Sequence, residues 1–390
     1  MKTNMIEAPG TCRVELRASD RETFVEYHLT ATVQGSLRAD AAAAEVFEKV
    51  AAALVRHGIQ PIQEKLYGLR TAKATVMEQR DTAYRLAGVD RTMPVTWMEG
   101  LPLQSCPFVG VQLWGVAPRA GGVCVETVEN RITGRGRLWK GQGFEMLHLP
   151  CVRGTDASGA LLPGHYHQSA QLFTNIGLAV HAHGLEYTQV VRTWIYASRL
   201  LDWYDDLNKV RTGIYRPVGF GTPGGPPFPA STGIQGRSDA EECMVDVLAV
   251  QVNTPGSLAV RHVLRSPRQD SSFNYGSAFS RGVALEMEGR RTVHISGTAS
   301  INTAGASTYL GDAEHQSLET LLSISAILQE QGGSLANITS ATLFCKTREA
   351  WEAWERVTQL LSLPGFPRIT VIADVCRDDL LVEMEAVAVI

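Results

Sequence analysis

What this 390-residue chain lacks narrows its class first. No apolar run approaches the ~18 residues that cross a bilayer. The opening MKTNMIEAPG has no apolar stretch that would make it a secretory leader. Its 36 Lys and Arg stand against 40 Asp and Glu, so the basic field that non-specific nucleic-acid binding needs is missing. The seven cysteines (Cys12, Cys106, Cys124, Cys151, Cys243, Cys345 and Cys376) are scattered, odd in number and without a CxxC pair. That excludes a disulfide framework and a cysteine zinc site. There is no GxSxG, Walker or dinucleotide fingerprint, and GFGTPGG at 219–225 lacks the Lys and the following helix of a phosphate loop. A cytoplasmic protein that engages neither membrane nor nucleic acid is expected.

Histidine offers little more. The HxH pairs are His165/His167 and His181/His183. The second falls in a helical stretch, where i and i+2 face apart, and no HExxH spacing accompanies either. No metal site is expected.

What is present is a repeat. Residues 167–208 and 315–356 align without gaps at an offset of 148: His167-Gln168-Ser169 falls on His315-Gln316-Ser317, Ile176 on Ile324, Gly184 on Gly332, Val190 on Ile338 and Trp203 on Trp351. So long a period is not a solenoid; it reads as two copies of one domain, within the two to three domains the length allows. Each copy spells a strand near Leu147–Leu149 or Val293–Ile295, then an amphipathic helix over 167–183 or 315–331. A strand over 190–196 or 338–344 follows, and then a second helix over 199–211 or 347–361. Pro229 or Pro367 then opens a last pair of strands, read as a hairpin. Strands with two helices per unit predict an α+β fold with helices packed on one face of each sheet. The Gly- and Pro-rich stretch 213–229 reads as a loop insertion. The boundary between copies is placed near 251–270, giving units 1–250 and 251–390. Within residues 1–110, 39–58 is a helix candidate with an Ala-rich body and Gly58 as its stop.

The copies differ in charge where packing alone would not require it. Aligning the Phe-Pro pairs puts Arg368 opposite Ala230, and aligning the terminal strands puts Glu383 opposite Met244. An Arg grips a planar carboxylate through two parallel hydrogen bonds. Glu383 alternates onto one face with Leu381 and Glu385, where a desolvated carboxyl would keep its proton and act as a general acid. A structural Arg–Glu pair on a sheet edge is the other reading of these two residues, and charge spacing alone favours it.

The second copy resembles the RidA (YjgF-like) family through His294-Ile295-Ser296-Gly297, Gly332-Gly333, Asn337-Ile338, Phe366-Pro367-Arg368-Ile369-Thr370-Val371 and Val382-Glu383-Met384-Glu385-Ala386. Over most of residues 110–390 the chain is further similar to the chorismatases, two-domain RidA-like enzymes. Three segments carry this: Pro229–Ile234 (PASTGI), Tyr275–Arg281 (YGSAFSR) and Cys376–Glu383 (CRDDLLVE). The resemblance implies tandem RidA/YjgF-like (chorismate-mutase-like) domains, an N-terminal one over 1–250 with an extension and the 213–229 loop, and a C-terminal one over 251–390. It implies cleavage of chorismate to pyruvate and a hydroxylated six-membered carboxylic acid. Single-domain RidA members form trimers with sites between subunits; tandem copies imply such a site inside one chain, as a monomer or a small homo-oligomer.

On that footing Glu383 would protonate the enolpyruvyl methylene and Arg368 would bind a substrate carboxylate. Arg153, the Ser231-Thr232-Gly233 turn and Tyr215 are further candidates for holding the substrate; a surface arginine and an ordinary turn fit Arg153 and Ser231-Thr232 equally well. Cys376, seven residues before Glu383, resembles the aromatising branch and implies 3-hydroxybenzoate, against a buried thiol with only a packing role. The ether is already activated toward acid, so no cofactor is expected. An ordinary RidA imine or enamine deaminase, and a non-catalytic binder of a small aromatic acid, remain as other readings.

Overall fold

The computed structural model describes residues 2–6, 11–119, 121–237 and 241–390. The first six-stranded sheet comprises β1 (Lys2–Ile6), β2 (Cys12–Asp20), β3 (Phe24–Val33), β4 (Gln60–Gly68), β5 (Thr96–Glu99) and β6 (Phe108–Pro118), with α1 (Ala39–His57) and α2 (Lys73–Ala87). A second comprises β7 (Cys124–Asn130), β8 (Gly134–Gly141), β9 (Phe144–Arg153), β10 (Val190–Ala197), β11 (Ala230–Gln235) and β12 (Cys243–Val252), with α3 (Gly164–His181) and α4 (Leu200–Val218). The third comprises β13 (Ala259–Val263), β14 (Gly282–Met287), β15 (Arg290–Ala299), β16 (Ile338–Cys345), β17 (Arg368–Ile372) and β18 (Val382–Val389), with α5 (Ala313–Glu330) and α6 (Arg348–Leu360). Strand order is the same in all three: β1-β2-β3-β6-β4-β5, β7-β8-β9-β12-β10-β11 and β13-β14-β15-β18-β16-β17.

The fold is thus α+β with tandem units, and the order recurs once more than the repeat predicts. Residues 1–110, expected as an extension of the 1–250 unit, include most of a complete sheet with its own pair of helices. The gapless repeat of 167–208 and 315–356 does not include it. Helix α1 forms as its composition predicts. Ala43, Val46, Phe47, Val50 and Leu54 line its buried face, and Gly58 at φ 61° returns its N–H to the Leu54 and Val55 carbonyls. In the third unit, Asp312 caps α5 and Thr347 caps α6 through their side chains.

Each sheet packs one face on its own helices, as Val382, Met384, Ala386 and Ala388 of β18 do in a core with Ile324, Ile327 and Trp354. The opposite faces of all three sheets meet in one shared core that includes Trp114, Met146, Trp194, Leu285 and Phe344. No described helix is long and apolar enough to cross a membrane.

Two local expectations differ from the structure. The last two strands of each unit are not a hairpin. β11 runs parallel to β10 and β12 antiparallel to it, so β10 lies between them, and β16 likewise separates β17 from β18. A parallel neighbour requires a crossover, which α4 and α6 supply. The stretch 213–229 is also not wholly loop, because α4 continues to Val218 with Pro217 in its last turn. Burial of Tyr215 among Phe173, Tyr187, Phe220 and Phe228 holds that turn helical despite its Pro.

The ladders fix which positions correspond. In each sheet a bulge interrupts the strand beside the last one, at Pro61/Gln63, Val190/Arg192 and Ile338/Ser340. Four residues beyond it, Tyr67 faces Gly110, Tyr196 faces Met244 and Phe344 faces Glu383. This rung therefore reads Gly, Met, Glu. Arg368, paired with Ala341, shares its rung with Ser231, paired with Thr193, and not with Ala230 as the Phe-Pro alignment had it.

Candidate active site

Glu383 stands on the inner face of β18, between Ala299 of β15 and Phe344 of β16. Across from it β11 of the second sheet closes the seam. Ser231 donates its backbone N–H to the Ser296 hydroxyl at 2.9 Å, and Gly297 donates its own to Thr232 Oγ1 at 3.0 Å. Gly297 is required at this crossing, since a Cβ there would lie 2.0 Å from Glu383 Oε1 and 3.1 Å from Thr232 Cγ2.

A cavity of about 500 Å³ occupies the seam. Helix α4 supplies Tyr204 and Arg211, and β11 supplies Ser231 and Gly233. The segment before β14 supplies Tyr275, Ser277, Phe279 and Arg281, and the loop before β18 supplies Cys376 and Arg377 beside Glu383. Three guanidinium groups thus converge from three parts of the chain, and none has a carboxylate partner among the described residues. Arg211 donates to Asn208 Oδ1 at 2.6 Å and to Ser231 Oγ at 3.4 Å, leaving its buried Nε without a partner among them. Arg281 is held by the Asp270 carbonyl at 2.9 and 3.1 Å and by the Tyr275 hydroxyl at 2.5 Å. Arg377 donates to the Gly305 carbonyl at 2.8 Å and lies 5.5 Å from the Tyr275 ring. Phe279 packs against both Arg211 and Arg281, at 5.9 and 5.6 Å. Aromatic and aliphatic walls with fixed cations suit a flat, multiply anionic molecule.

Glu383 is 4% exposed. Burial first, and the neighbouring Glu385 charge second, raise its pKa to about 8, against the opposing pull of the Cys376 thiol and the Arg192 charge. Glu383 therefore carries its proton at neutral pH. Burial pushes the Cys376 thiol up to about 12, with the Glu383 charge adding to it. Cys376 is a protonated thiol there and not a thiolate nucleophile. Behind the acid, Glu385 accepts from Arg192 Nη2 at 2.7 Å and from the Thr232 hydroxyl at 2.6 Å.

Of the residues singled out in the sequence, Glu383, Cys376, Ser231 and Gly233 come together in this cavity. Thr232 alternates away from it, bonding Arg192, Glu385 and the Gly297 N–H, and so fastens the seam. Three others are elsewhere. Tyr215 is buried in α4 inside its aromatic cluster, because the helix continues where a loop was expected. Arg153, at the end of β9, pairs with Glu241 at 2.8 Å and does not line the cavity. Arg368 pairs with Glu355 and lines a different cavity, of about 930 Å³, where the third sheet meets the first at Arg13, Thr32 and Phe108. β16 separates its strand from that of Glu383, so the two do not share a site.

Arg211, Arg281, Arg377, Tyr204 and Tyr275 were not picked out individually. Tyr275, Arg281 and Arg377 do lie within the segments that carry the family resemblance. Arg211 has no signal in the sequence, being one polar position among many on α4. Among the described residues no group of three or more His, Cys, Asp or Glu is placed to hold a metal ion.

Residues 275–390 match the protein-family model described as Endoribonuclease L-PSP. Among solved structures the chain is similar to a chorismatase, at 17% identity and a TM-score of 0.56, over 84% of this chain and 92% of that one. Single-unit structures are similar to about one third of it. The YjgF gene product of E. coli is 20% identical over 33% of this chain and 98% of its own, with a TM-score of 0.28. YyfA of the Rid protein family, from Yersinia pestis, is 24% identical over 34% and 100%, with a TM-score of 0.29. The chain has the fold of the chorismatase structure, and its last unit matches the Endoribonuclease L-PSP family model.

Proposed function

We propose that this chain cleaves chorismate to pyruvate and 3-hydroxybenzoate, with Glu383 as the general acid. One observation carries the reading: a carboxyl protonated at neutral pH faces a cavity with three guanidinium groups and no other described carboxylate. A protonated carboxyl does not repel a dianion, and it is the acid that an enol ether needs.

Chorismate has two carboxylates on and beside a six-membered ring. Arg211, Arg281 and Arg377 provide the opposing charge, and Tyr204, Tyr275 and Phe279 provide faces for the ring. Glu383 delivers its proton to the methylene carbon of the enolpyruvyl group, and the C=C electron pair forms the new C–H bond. The positive charge that develops is an oxocarbenium ion, against which the new Glu383 carboxylate lies. Water adds to the oxocarbenium carbon to give a hemiketal. As this collapses its hydroxyl proton passes to the ether oxygen, the C–O bond to that oxygen breaks, and pyruvate leaves the ring diol. The neighbouring ring hydroxyl adding first gives a cyclic ketal that water opens in the same way. Loss of a ring proton and a hydroxyl as water restores aromaticity, so that chorismate divides into the two products with no net reactant added. The proton affinity of Glu383 is returned by its surroundings, since burial and Glu385 both disfavour the carboxylate. No metal or organic cofactor is needed for acid cleavage of an ether already activated in this way.

The Cys376 thiol, which lines the cavity beside Glu383, supports the aromatising outcome over release of a dihydroxycyclohexadiene carboxylate. It can orient the carboxylate that must next accept a proton. The cavity is completed by two sheets of one chain, so catalysis needs no second copy.

Incubation with chorismate tests the reading, with pyruvate assayed by lactate-dehydrogenase coupling and the second product resolved by chromatography. Pyruvate with 3-hydroxybenzoate is expected. A non-aromatic diol would keep Glu383 as the acid and remove the role given to Cys376. No turnover above background would refute the proposal, and imine substrates would then test a deaminase.

A further inference from the structure

Because the three units share one ladder, each position near the acid has two counterparts in the same chain. Immediately after the bulge in β4, β10 and β16 stand Gln63, Arg192 and Ser340. Two positions beyond the rung of Gly110, Met244 and Glu383, strands β6, β12 and β18 carry Gln112, Asp246 and Glu385. Some of the bonding at this level is also repeated. Thr96 donates to Asp246 at 2.7 Å as Thr232 donates to Glu385 at 2.6 Å, from corresponding places on β5 and β11. Gln63 lies 2.9 Å from His148 Nε2, and Arg192 lines the same chamber as His294, the counterpart of His148.

What the acid's seam adds is a guanidinium. Arg192 pairs with Glu385 at 2.7 Å and, among the described residues, not with Glu383. Both carboxyls are buried on the inner face of β18. Lys65 of the first sheet stands 3.8 Å from Glu385 and attracts Asp246 as well. The two cations balance Glu385 and Asp246, and the third carboxyl of the group, Glu383, is left to hold a proton. Two carboxyls two residues apart on one buried strand face do not both ionise readily, and a cation bonded to one decides which keeps the proton. We propose that Arg192 is a positioning residue for the acid: by holding Glu385 as the permanent carboxylate, it confines the pair's one proton to Glu383. The use of that proton in catalysis rests on the function proposed above.

The other groups around the pair do not take that role. Tyr67 of β4 and Tyr196 of β10 act on Glu385 but are pushed up by burial and stay neutral. Burial and the Arg192 charge hold His294 of β15 down to about 3, so it is neutral too, and His28 of β3 stands 3.4 Å from Glu26. On the side of Glu383, burial raises Tyr204, Tyr275 and Cys376, and none of them is charged. Arg211, Arg281 and Arg377 face the cavity and donate to Asn208, Tyr275 and the Gly305 carbonyl.

The test is a carbon-13 NMR titration of the full chain labelled at its glutamate carboxyls, which needs no substrate. One resonance should titrate near 8 and be absent from Glu383→Gln. Arg192→Gln and Glu385→Gln each insert the residue that the first unit has at the corresponding position, Gln63 and Gln112. Glu385→Gln removes the neighbouring charge and leaves the guanidinium to act on Glu383, so the resonance should move down by about one pH unit or more. Arg192→Gln should move the final ionisation of the pair up and bring Glu385 into the same range, because the two carboxyls then share one proton. Arg192→Lys keeps the charge and should return the titration to near 8. Movement in the same direction in both glutamine variants, or no movement in either, would overturn the proposal. So would Arg192→Lys behaving as Arg192→Gln does. The fall of chorismate turnover with rising pH should follow the same displacements. No turnover in the unaltered chain would overturn the proposed function, while the titration would still decide the role of Arg192.

Discussion

Replacing Glu383 with Gln should lower activity and raise stability at alkaline pH together. The carboxyl rises from its ordinary 4.5 to about 8 in the folded protein. Below pH 4.5 both folded and unfolded chains hold the proton, and the group's stabilising contribution is complete. Above it the unfolded chain ionises while the folded one does not. Stability then falls by up to roughly 1.4 kcal/mol per pH unit until the folded group ionises near 8. Across that window the loss amounts to about 5 kcal/mol. Gln carries no charge at any pH and escapes it. The difference in unfolding free energy between Glu383→Gln and the unaltered chain should therefore shift by about 5 kcal/mol in the variant's favour between pH 4.5 and 9. Urea unfolding followed by tryptophan fluorescence at those two pH values measures the shift. Chorismate turnover at pH 7 should fall ~10²–10⁴-fold in the same protein. A stability difference that does not change with pH would refute the buried, protonated state of Glu383. Turnover near that of the unaltered chain would refute its role as the acid.

Other substitutions separate positioning from scaffold. Gly297→Ala puts a Cβ 2.0 Å from Glu383 Oε1; displacement of the acid should cost ~10²-fold in kcat with an unchanged circular dichroism spectrum. Cys376→Ala should alter the ratio of 3-hydroxybenzoate to diol more than the rate of chorismate consumption, read by chromatography. Arg368→Met removes a half-exposed ion pair with Glu355 in the other seam. It should leave kcat/KM within about 2-fold, because such pairs contribute little and this one does not touch the acid's cavity. A large loss there would restore Arg368 to the substrate site.

The sequence was legible where local pattern decides structure. Alternation in LVEMEAVAV put Glu383 and Glu385 on one face of a strand, and β18 has them there. The offset of 148 found the second and third units because their helices and strands keep register without gaps. The first unit keeps the same ladder and the same bulge but not the side chains, so backbone topology alone reveals it. Arg368 misled because spacing along the chain says nothing about which seam a strand faces. Only the crossover of α6 and the pairing of β17 with β16 decide that. Arg211 was similarly beyond reach, and although Arg281 and Arg377 lie in the segments that carry the resemblance, only the fold brings a helix and two loops distant in sequence to one cavity. Tyr215 was misplaced by its neighbours: Gly213 and Pro217 signal a loop, while burial in an aromatic cluster keeps the helix.

The rung that reads Gly110, Met244 and Glu383 has a consequence for how such a site can be maintained. In a ring of identical subunits any residue on that rung occurs three times, and a carboxyl that lowers the stability of the folded state as pH rises above 4.5 would do so at each seam. Here one gene encodes the three positions separately. The energetic penalty falls on a single seam, and glycine and methionine leave the other two uncharged. Each seam is consequently a separate target for mutation, and the reactive one can change without altering the contacts that hold the rest of the ring.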